Sequence, residues 1–419
     1  MPPRHTAPPH QRTVRHARRL RRHPIARGIA LTTVAVVAFG VTAGGAAYAR
    51  FQGNVDVVDV SALVGPAPSP SVAVTPDPTD PNAGQARNIL LLGSDERDGE
   101  NGEIGGVVEG MRSDTTIVVH ISADRTRAEL VSIPRDSLVD IPSCTMSDGS
   151  TSRAQSDAMF NSAFATGWDQ GGDMVSAASC TIKTVQENTG LTIDEFAVVD
   201  FAGFTRMVDA LGGVPICIAE DYASPDAGLY VSAGYQTLDG ATALAFARAR
   251  KGTNMNGSDL QRAGRQQELI AAMIRQIMAQ NLLTDVPGLL GFLDAATSSL
   301  TVSPGIGSLT DMAGLALSLR GIQQSNITFM TIPVATAPQD KNRVVWTSAA
   351  DTVWANMAAD TPIVPSTATA TPTTDATATA GATAGATTGT TPATTPTPVE
   401  TAVPGVDPFS PDDVTAVCG

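Results

Sequence analysis

Arginine is the residue type best suited to chemistry in this chain. Arg248, Arg250, Arg262 and Arg265 lie close together in a sequence that is otherwise acidic, with 27 Lys and Arg against 41 Asp and Glu. Nine of those basic residues lie in the first 50 positions, where there is no acid, so the remainder is more acidic still. A guanidinium group presents a planar fork of donors that matches phosphate oxygens. We therefore expect the cluster to bind a phosphate or a pyrophosphate.

Two aspartates accompany the arginines. Asp95 follows one apolar run of the chain, and Asp114 precedes the next. If these runs are adjacent strands, the carboxylates meet at one sheet edge and offer the oxygen ligands that Mg²⁺ or Mn²⁺ prefers. Taken singly, each aspartate is typical of a turn or cap. Arg135 ends a third run and is expected at the same edge, although Arg135 and Asp136 also fit a simple surface ion pair.

Helical spacing relates three further polar residues. Asp259, Arg262 and Gln266 lie at i, i+3 and i+7, which is one face of a helix. Asp259 is also well placed to cap the start of that helix, and Asp259 with Arg262 fits an ordinary surface ion pair. Arg265 lies about 120° around the helix from Asp259, so it is the weaker candidate.

Histidine is nearly absent beyond the first 50 residues, where His120 stands alone. This excludes a Ser-His-Asp triad and a His-rich zinc site, and we expect His120 to be a core or edge residue. The sequence contains no Walker loop, Gly-x-Ser-x-Gly or His-Glu-x-x-His motif. Carboxylates, arginines and amides remain, and they suit a divalent metal and a phosphate.

The N-terminus predicts a membrane anchor. Residues 1–27 form a basic arm, and residues 28–49 contain a long run without charge, about 30 Å long as a helix. The arginines place the arm in the cytoplasm and the rest of the chain outside a cell membrane crossed once. The alternative is a cleaved signal peptide, because Ala47–Ala49 resembles a cleavage site. The arm is short and lacks a helix-turn-helix pattern, so no nucleic acid partner is expected.

Four cysteines agree with export. All of them follow the predicted anchor, and none forms a Cys-x-x-Cys motif. Two disulfides with three alternative pairings are expected; we favour Cys144 with Cys180 and Cys217 with Cys418. A free thiol at Cys418 is the alternative.

The remaining segments differ in composition. Residues 50–86 predict an extended linker, residues 87–360 a single α/β domain with a sheet between helix layers, and residues 361–405 a disordered Thr/Ala/Pro-rich segment before a tail at 406–419.

Alternating and helical periodicities place the elements of that domain. Strands are expected at 88–92, 116–121, 128–133, 196–201, 214–218 and 327–334. Helices are expected as a pair within 157–189 and at 204–211, 242–250, 259–280, 286–299, 308–319 and 347–357.

Seven motifs in this order resemble the LytR-CpsA-Psr family. They lie between residues 87 and 285, and residues 286–357 resemble the actinobacterial extension of that domain. The motifs are Asn88–Asp95, Arg112–Thr115, Ser132–Asp136, Val199–Phe204, Val208–Val214, Arg248–Arg250 and Asp259–Gln266.

The resemblance implies a membrane-anchored phosphotransferase. Such enzymes move a glycopolymer from a polyprenyl (pyro)phosphate carrier onto peptidoglycan through a phosphodiester bond. The implied fold is an α/β/α sandwich with a central mixed sheet and a groove for the lipid. We also considered a phosphatase or pyrophosphatase acting on the same lipid, and a non-enzymatic envelope protein. Apolar residues 271–278 are compatible with a groove lining or a plain core.

The resemblance also implies roles for single residues. Asp95 and Asp114 match the Mg²⁺-binding aspartates, and either Asp95 or Asp259 would accept the proton of the attacking hydroxyl. Arg112 and Arg265 lie within the matched motifs and join the substrate-binding candidates. The residues that match groups contacting the pyrophosphate are Arg135, Arg248, Arg250, Arg262 and Gln266. Of the candidates, Arg135, Arg248, Arg250, Asp259 and Arg262 are expected to be catalytic.

Overall fold

The computed structural model describes residues 51–65, 84–96, 99–105, 110–280, 286–298, 300–364 and 402–413, with scattered positions between 33 and 50. The chain divides into two units, Met1–Arg50 and Phe51–Gly419. The predicted arm at 1–27 and anchor at 28–49 fall largely outside the described residues, and the positions described there have helical backbone. A search of the described residues finds no helix with the length and apolar character needed to cross a membrane.

The second unit is built on a seven-stranded mixed sheet of order β1-β14-β7-β2-β3-β4-β15. Its neighbours pair antiparallel except for three parallel pairs, β1 with β14, β2 with β7, and β4 with β15. The sheet strands are β1 (Asp56–Val57), β2 (Arg87–Ser94), β3 (Ser113–Ile121), β4 (Ala128–Ile133), β7 (Glu195–Val199), β14 (Leu300–Val302) and β15 (Ile327–Thr331).

The described residues also form five two-stranded sheets. They are β5 (Leu138–Ile141) with β6 (Gln155–Met159), β8 (Val214–Ile218) with β11 (Gly234–Leu238), β9 (Tyr222–Ser224) with β10 (Leu229–Val231), β12 (Lys251–Gly252) with β13 (Met255–Asn256), and β16 (Val334–Ala337) with β17 (Asp340–Trp346).

The described helices, numbered in chain order, are α1 (Ser61–Val64), α2 (Gly99–Gly105), α3 (Ser162–Gly171), α4 (Met174–Thr189), α5 (Phe201–Ala210), α6 (Gly240–Arg248), α7 (Asp259–Ala279), α8 (Val286–Thr297), α9 (Leu309–Leu319) and α10 (Ser348–Ala358).

Side-chain alternation along the strands buries both faces of the sheet. On β2, Leu90 and Leu92 belong to a core shared with α3, α4 and α10. Leu91 and, on β3, Ile117 belong to a second core shared with α7. Helices therefore cover both faces, and the predicted mixed α/β fold with a central sheet is confirmed.

Aspartate caps set two helix boundaries that the sequence analysis placed wrongly. Asp200 accepts a bond from the Gly203 amide at 2.6 Å, so α5 starts at Phe201, a residue that we had assigned to the preceding strand. Asp239 accepts from the Thr242 amide at 2.8 Å and starts α6 earlier than expected.

The linker prediction for residues 50–86 is wrong for its first part. Phe51 is buried, and β1 extends the central sheet by pairing with β14. Gln52 donates to the Gly307 carbonyl at 3.0 Å and accepts from the Leu309 amide at 3.1 Å. Three valines of residues 58–64 pack on the main core. Residues 51–65 thus belong to the domain because Phe51 and these valines bury apolar surface against it.

The C-terminal predictions, a disordered segment at 361–405 and a tail at 406–419, also need correction. Residues 365–401 lie outside the described residues, but residues 402–413 pack on the domain. Phe409 is buried and stacks on Phe329 of β15, with ring centroids 5.2 Å apart. The two residues exchange backbone hydrogen bonds of 2.8 and 3.0 Å. We call residues 402–413 the C-terminal strap.

The structure pairs Cys144 with Cys180, the pairing favoured from the sequence, with a Cα–Cα distance of 5.2 Å. Cys217 is buried in β8, and its predicted partner Cys418 lies outside the described residues. That second pairing therefore stays a prediction.

We expect Phe409→Ala to weaken docking of the strap by about 3 kcal/mol, because the substitution removes a buried aromatic ring. Amide exchange at Phe329 and Phe409 should then rise by roughly a hundredfold or more. The matched control is Val406→Ala, since Val406 is 72% exposed. Unchanged exchange at both amides would contradict the docking described above.

Candidate active site

One edge of the central sheet gathers the predicted site residues. Ser94 at the end of β2 pairs with Ser113 at the start of β3, and Thr116 of β3 pairs with Ile133 at the end of β4. The segment after β2, the start of β3 and the segment after β4 therefore meet there, and they carry Asp95, Asp114 and Arg135.

A β-bulge gives Asp114 its direction. Gly93 pairs with Thr115 and Ser94 with Ser113, so Asp114 is the extra residue without a partner in the β2–β3 ladder. Such bulges re-aim a side chain at a strand end. Arg135 Nη1 donates to both carboxylate oxygens of Asp114, at 2.7 and 2.8 Å.

Arg262 joins the pair from α7. Its Nη2 donates to the Asp114 carbonyl at 2.9 Å, and its Nη1 lies 3.4 Å from the Asp114 carboxylate. Burial acts to raise the pKa of Asp114, but the charges of Arg262 and Arg135 outweigh it and hold that pKa below its ordinary value. Asp114 is therefore an anion fixed between two guanidinium groups.

Asp259 closes the network from the first turn of α7. It is 7% exposed, pairs with Arg262, and accepts from the Arg135 backbone amide at 3.0 Å. Burial raises the pKa of Asp259, and the nearby arginines only partly oppose that shift. The predicted capping role is wrong: Ser258 is the N-cap and accepts from the Gln261 amide. Asp259 instead joins α7 to the loop after β4.

Asp136 gathers a second group of arginines. Its carboxylate lies 3.6 Å from Arg135 Nε, 3.5 Å from Arg250 Nη2 and 3.7 Å from Arg343 Nη1. Burial, and then the charge of Asp259, raises the pKa of Asp136. Arg343 is not among the residues predicted from the sequence. Its only sequence signal is a basic residue inside the strand-like run of β17.

Arg248 and Arg112 lie around this network. The Arg248 guanidinium stacks over the Phe201 ring with its carbon 4.3 Å from the centroid, and its Nη1 lies 3.5 Å from the Ile104 carbonyl. Arg112 is exposed, and its backbone amide donates to the Asp95 carboxylate at 2.5 Å. Asp95 is half-buried at the same sheet edge.

Arg265 and Gln266 face the end of α6, and the structure does not bring Arg265 into the network. Arg265 is 4% exposed and donates to the carbonyls of Phe246 and Ala249, while Gln266 donates to the Ala247 carbonyl at 3.1 Å. The last carbonyls of a helix lack intrahelical donors, and these side chains supply them. Both residues thus fix the segment that carries Arg248 and Arg250.

The network presents guanidinium groups at its exposed rim. Within the ion pairs of the described residues, four guanidinium groups share four carboxylates. The guanidinium groups belong to Arg135, Arg250, Arg262 and Arg343, and the carboxylates to Asp114, Asp136, Asp259 and Asp340. Arg250 and Arg343 are each 31% exposed. An anion at this rim would meet guanidinium N–H groups that the carboxylates do not use.

Among the described residues, no three His, Cys, Asp or Glu side chains form a group suited to a metal ion. Asp95 and Asp114 are the two carboxylates at this sheet edge that the sequence predicted as metal ligands. Protein-bound Mg²⁺ commonly uses one or two carboxylates together with phosphate oxygens, so this donor set fits a metal shared with a phosphate ligand.

Comparison with known proteins identifies the family of this chain. A model of the LytR_cpsA_psr family matches residues 62–359, which is more than half of the chain. The chain belongs to this family. The matched range contains the whole arginine network, including Arg343.

Two relatives and one solved structure illustrate the LytR_cpsA_psr match. The chain is 31% identical over 265 residues to the cell wall biosynthesis protein LcpA of Corynebacterium glutamicum, covering 59% of this chain and 50% of LcpA. It is 33% identical over 208 residues to the polyisoprenyl-teichoic acid–peptidoglycan teichoic acid transferase TagU of Oceanobacillus iheyensis, covering 50% and 57%. The chain spans about half the length of these curated relatives. The LytR-Csp2A-Psr enzyme from Actinomyces oris has the same fold, with a TM-score of 0.50 at 19% identity over 73% of this chain and 96% of that one.

We expect Arg262→Ala to lower the free energy of unfolding by about 3–5 kcal/mol at neutral pH, because it leaves the Asp259 carboxylate buried without its partner. The loss should be smaller near about pH 4. Burial raises the folded-state pKa of Asp259, and a carboxyl with a raised pKa destabilises the fold increasingly as pH rises. Urea unfolding at both pH values measures this.

The matched control for this experiment is Arg320→Ala, since Arg320 is exposed at the end of α9. Equal losses for Arg262→Ala and Arg320→Ala, or a loss that does not change with pH, would contradict the buried pairing.

Proposed function

We propose that this protein transfers a glycopolymer from a polyprenyl (pyro)phosphate carrier onto peptidoglycan. The observation that carries the proposal is the arginine network, in which buried Asp259 and partly buried Asp114 and Asp136 hold guanidinium groups, with Arg250 and Arg343 at the exposed rim. TagU, a relative by sequence, bears the name of a transferase acting between a polyisoprenyl-linked polymer and peptidoglycan.

The donor headgroup fits the rim of the network. Arg248 is the last residue of α6, and Arg250 lies two residues after it. Arg135 follows β4 and shares the Asp136 carboxylate with Arg250. Donors fixed in advance by Phe201, Asp136 and Asp114 need little rearrangement when charge develops on the transferred phosphate. This is how the side chains would stabilise the transition state.

The lipid chain fits the apolar surface formed by the later helices. Five of the eleven residues of α9 are Leu or Met, yet none is buried, and Leu317 is 44% exposed. Leu319, and Ile270 and Ile274 of α7, each pack at the margin of the same core cluster. Within the predicted lining at 271–278, Ala271 and Ala272 are core residues, whereas Met278 is 44% exposed. An exposed apolar surface of this kind suits a polyprenyl chain.

In the proposed reaction, an acceptor hydroxyl oxygen of peptidoglycan forms a bond to the phosphorus that carries the glycan. The bond from that phosphorus to the bridging oxygen breaks, and polyprenyl monophosphate leaves when the carrier is a pyrophosphate. The hydroxyl proton passes to a carboxylate. Asp95 and Asp259 are the two candidate acceptors: Asp259 is enclosed by Arg262 and Arg135, and half-buried Asp95 is also a proposed metal ligand.

Asp95 and Asp114 are the residues that would hold Mg²⁺ or Mn²⁺. A bound divalent ion would neutralise charge on the phosphate oxygens. In the structure both oxygens of Asp114 accept from Arg135, so that pairing also holds the carboxylate in place.

We also propose that the protein acts at the outer face of the cell membrane, with its N-terminus in the cytoplasm. The support is the arginine-rich arm followed by the uncharged run within residues 28–49.

The test uses the purified full-length chain with a polyprenyl-pyrophosphate-linked oligosaccharide, peptidoglycan and Mg²⁺. We expect oligosaccharide-bearing peptidoglycan and polyprenyl phosphate in equal amounts. Arg250→Ala should reduce the rate by about 10²–10³-fold, because it removes a fixed donor to the phosphate, whereas Arg320→Ala should not change it.

Three outcomes would count against the proposal. Polyprenyl phosphate formed without modified peptidoglycan would show a lipid pyrophosphatase or phosphatase. No turnover of the donor at all would favour a non-enzymatic envelope protein. A rate unaffected by Arg250→Ala would move the donor site away from the arginine network.

A further inference from the structure

We infer that Arg343, in the β16–β17 hairpin, is a further donor-binding residue that brackets one phosphate of the carrier headgroup together with Arg250. The inference rests on the proposed function and adds to it a residue outside the arginine motifs. Asp136 is the positioning residue that holds the two guanidinium groups on either side of its carboxylate.

The hairpin is fixed to the site by its backbone. The Val344 amide donates to the Asp136 carbonyl at 3.2 Å, and Val344 forms a parallel bridge with Ser137. The turn is closed by Asp340, whose carboxylate accepts from the Asn342 amide at 2.9 Å. Arg343 lies between these two anchored points. Its position beside Asp136 therefore follows from the backbone and not from a chance surface contact.

The geometry leaves both arginines able to bind a ligand. Arg250 approaches one oxygen of Asp136 at 3.5 Å and Arg343 approaches the other at 3.7 Å, both longer than a good charged hydrogen bond. The buried Nε of Arg250 has no hydrogen-bond partner among the described residues. Arg343 Nη1 donates to the Asn342 carbonyl at 3.2 Å, and its Nε lies 4.0 Å from the Asp340 carboxylate. A guanidinium carries five N–H donors, so in the described contacts the Nη2 group of Arg343 remains for an anion.

Stability does not explain the Arg343 contact. An ion pair of this length, with the arginine a third exposed, contributes little to folding. A phosphate bound between Arg250 and Arg343 would instead use both charges at once, in a place where Asp136 keeps the two side chains from folding away. The ligand class is thus a phosphomonoester or phosphodiester group of a lipid carrier.

The experiment measures binding of geranylgeranyl pyrophosphate to the full-length protein by calorimetry, and donor KM and kcat in the transfer assay. Arg343→Ala should weaken binding and raise KM by roughly tenfold, with a smaller change in kcat and an unchanged unfolding midpoint. Arg343→Lys should recover part of the affinity, because it restores the charge without the fork. The control is Lys341→Ala, an exposed cation of the same hairpin.

Arg250→Ala separates this inference from the proposed function. Wild-type affinity in Arg343→Ala, together with a clear loss in Arg250→Ala, would overturn the role of Arg343 alone. Wild-type affinity in both variants would overturn the headgroup site itself. An equal loss in Lys341→Ala and Arg343→Ala would show a diffuse charge effect and would also overturn the bracket.

Discussion

The buried pair of Asp259 and Arg262 is the interaction on which the rest of the site depends. Both side chains are almost inaccessible to water, so each charge is tolerated only because the other is present. Asp259 also accepts from the Arg135 amide, and Arg262 also donates to the Asp114 carbonyl. One ion pair thus fixes α7 to the segment after β4 and to the start of β3. The carboxylates of Asp114 and Asp136 then hold the more exposed arginines at the rim.

The scaffold around α7 keeps that ion pair in place. Gln267 lies five residues after Arg262 on α7 and is fully buried. It donates to Ser132 at 2.8 Å and to Thr331 at 3.0 Å, and it accepts from the Gly405 amide. A Cβ at Gly264 would lie 2.2 Å from the Pro404 carbonyl, so only glycine lets the C-terminal strap approach the helix there. The strap is therefore part of the domain that positions the site, although a long Thr/Ala/Pro-rich segment precedes it.

Periodic features of the sequence predicted most of this fold, and isolated features did not. The strands of the sheet and the long helix α7 carry clear apolar patterns, and Asp95, Asp114 and Arg135 followed from their places at strand ends. The roles of single residues depended on contacts that no local pattern contains. Arg265 and Arg262 lie on the same helix, but Arg265 is directed away from the network because it donates to the carbonyls at the end of α6. Arg343 reaches the site through a hairpin far along the chain, and Phe409 is one aromatic residue in a polar tail.

The most direct test is a crystal structure of the protein with a bound polyprenyl pyrophosphate. We expect phosphate oxygens within hydrogen-bonding distance of Arg135 and Arg250, a headgroup beside Asp114, and a lipid chain along the apolar residues of α7 and α9. A headgroup bound elsewhere, with these arginines still paired only to their carboxylates, would contradict this expectation.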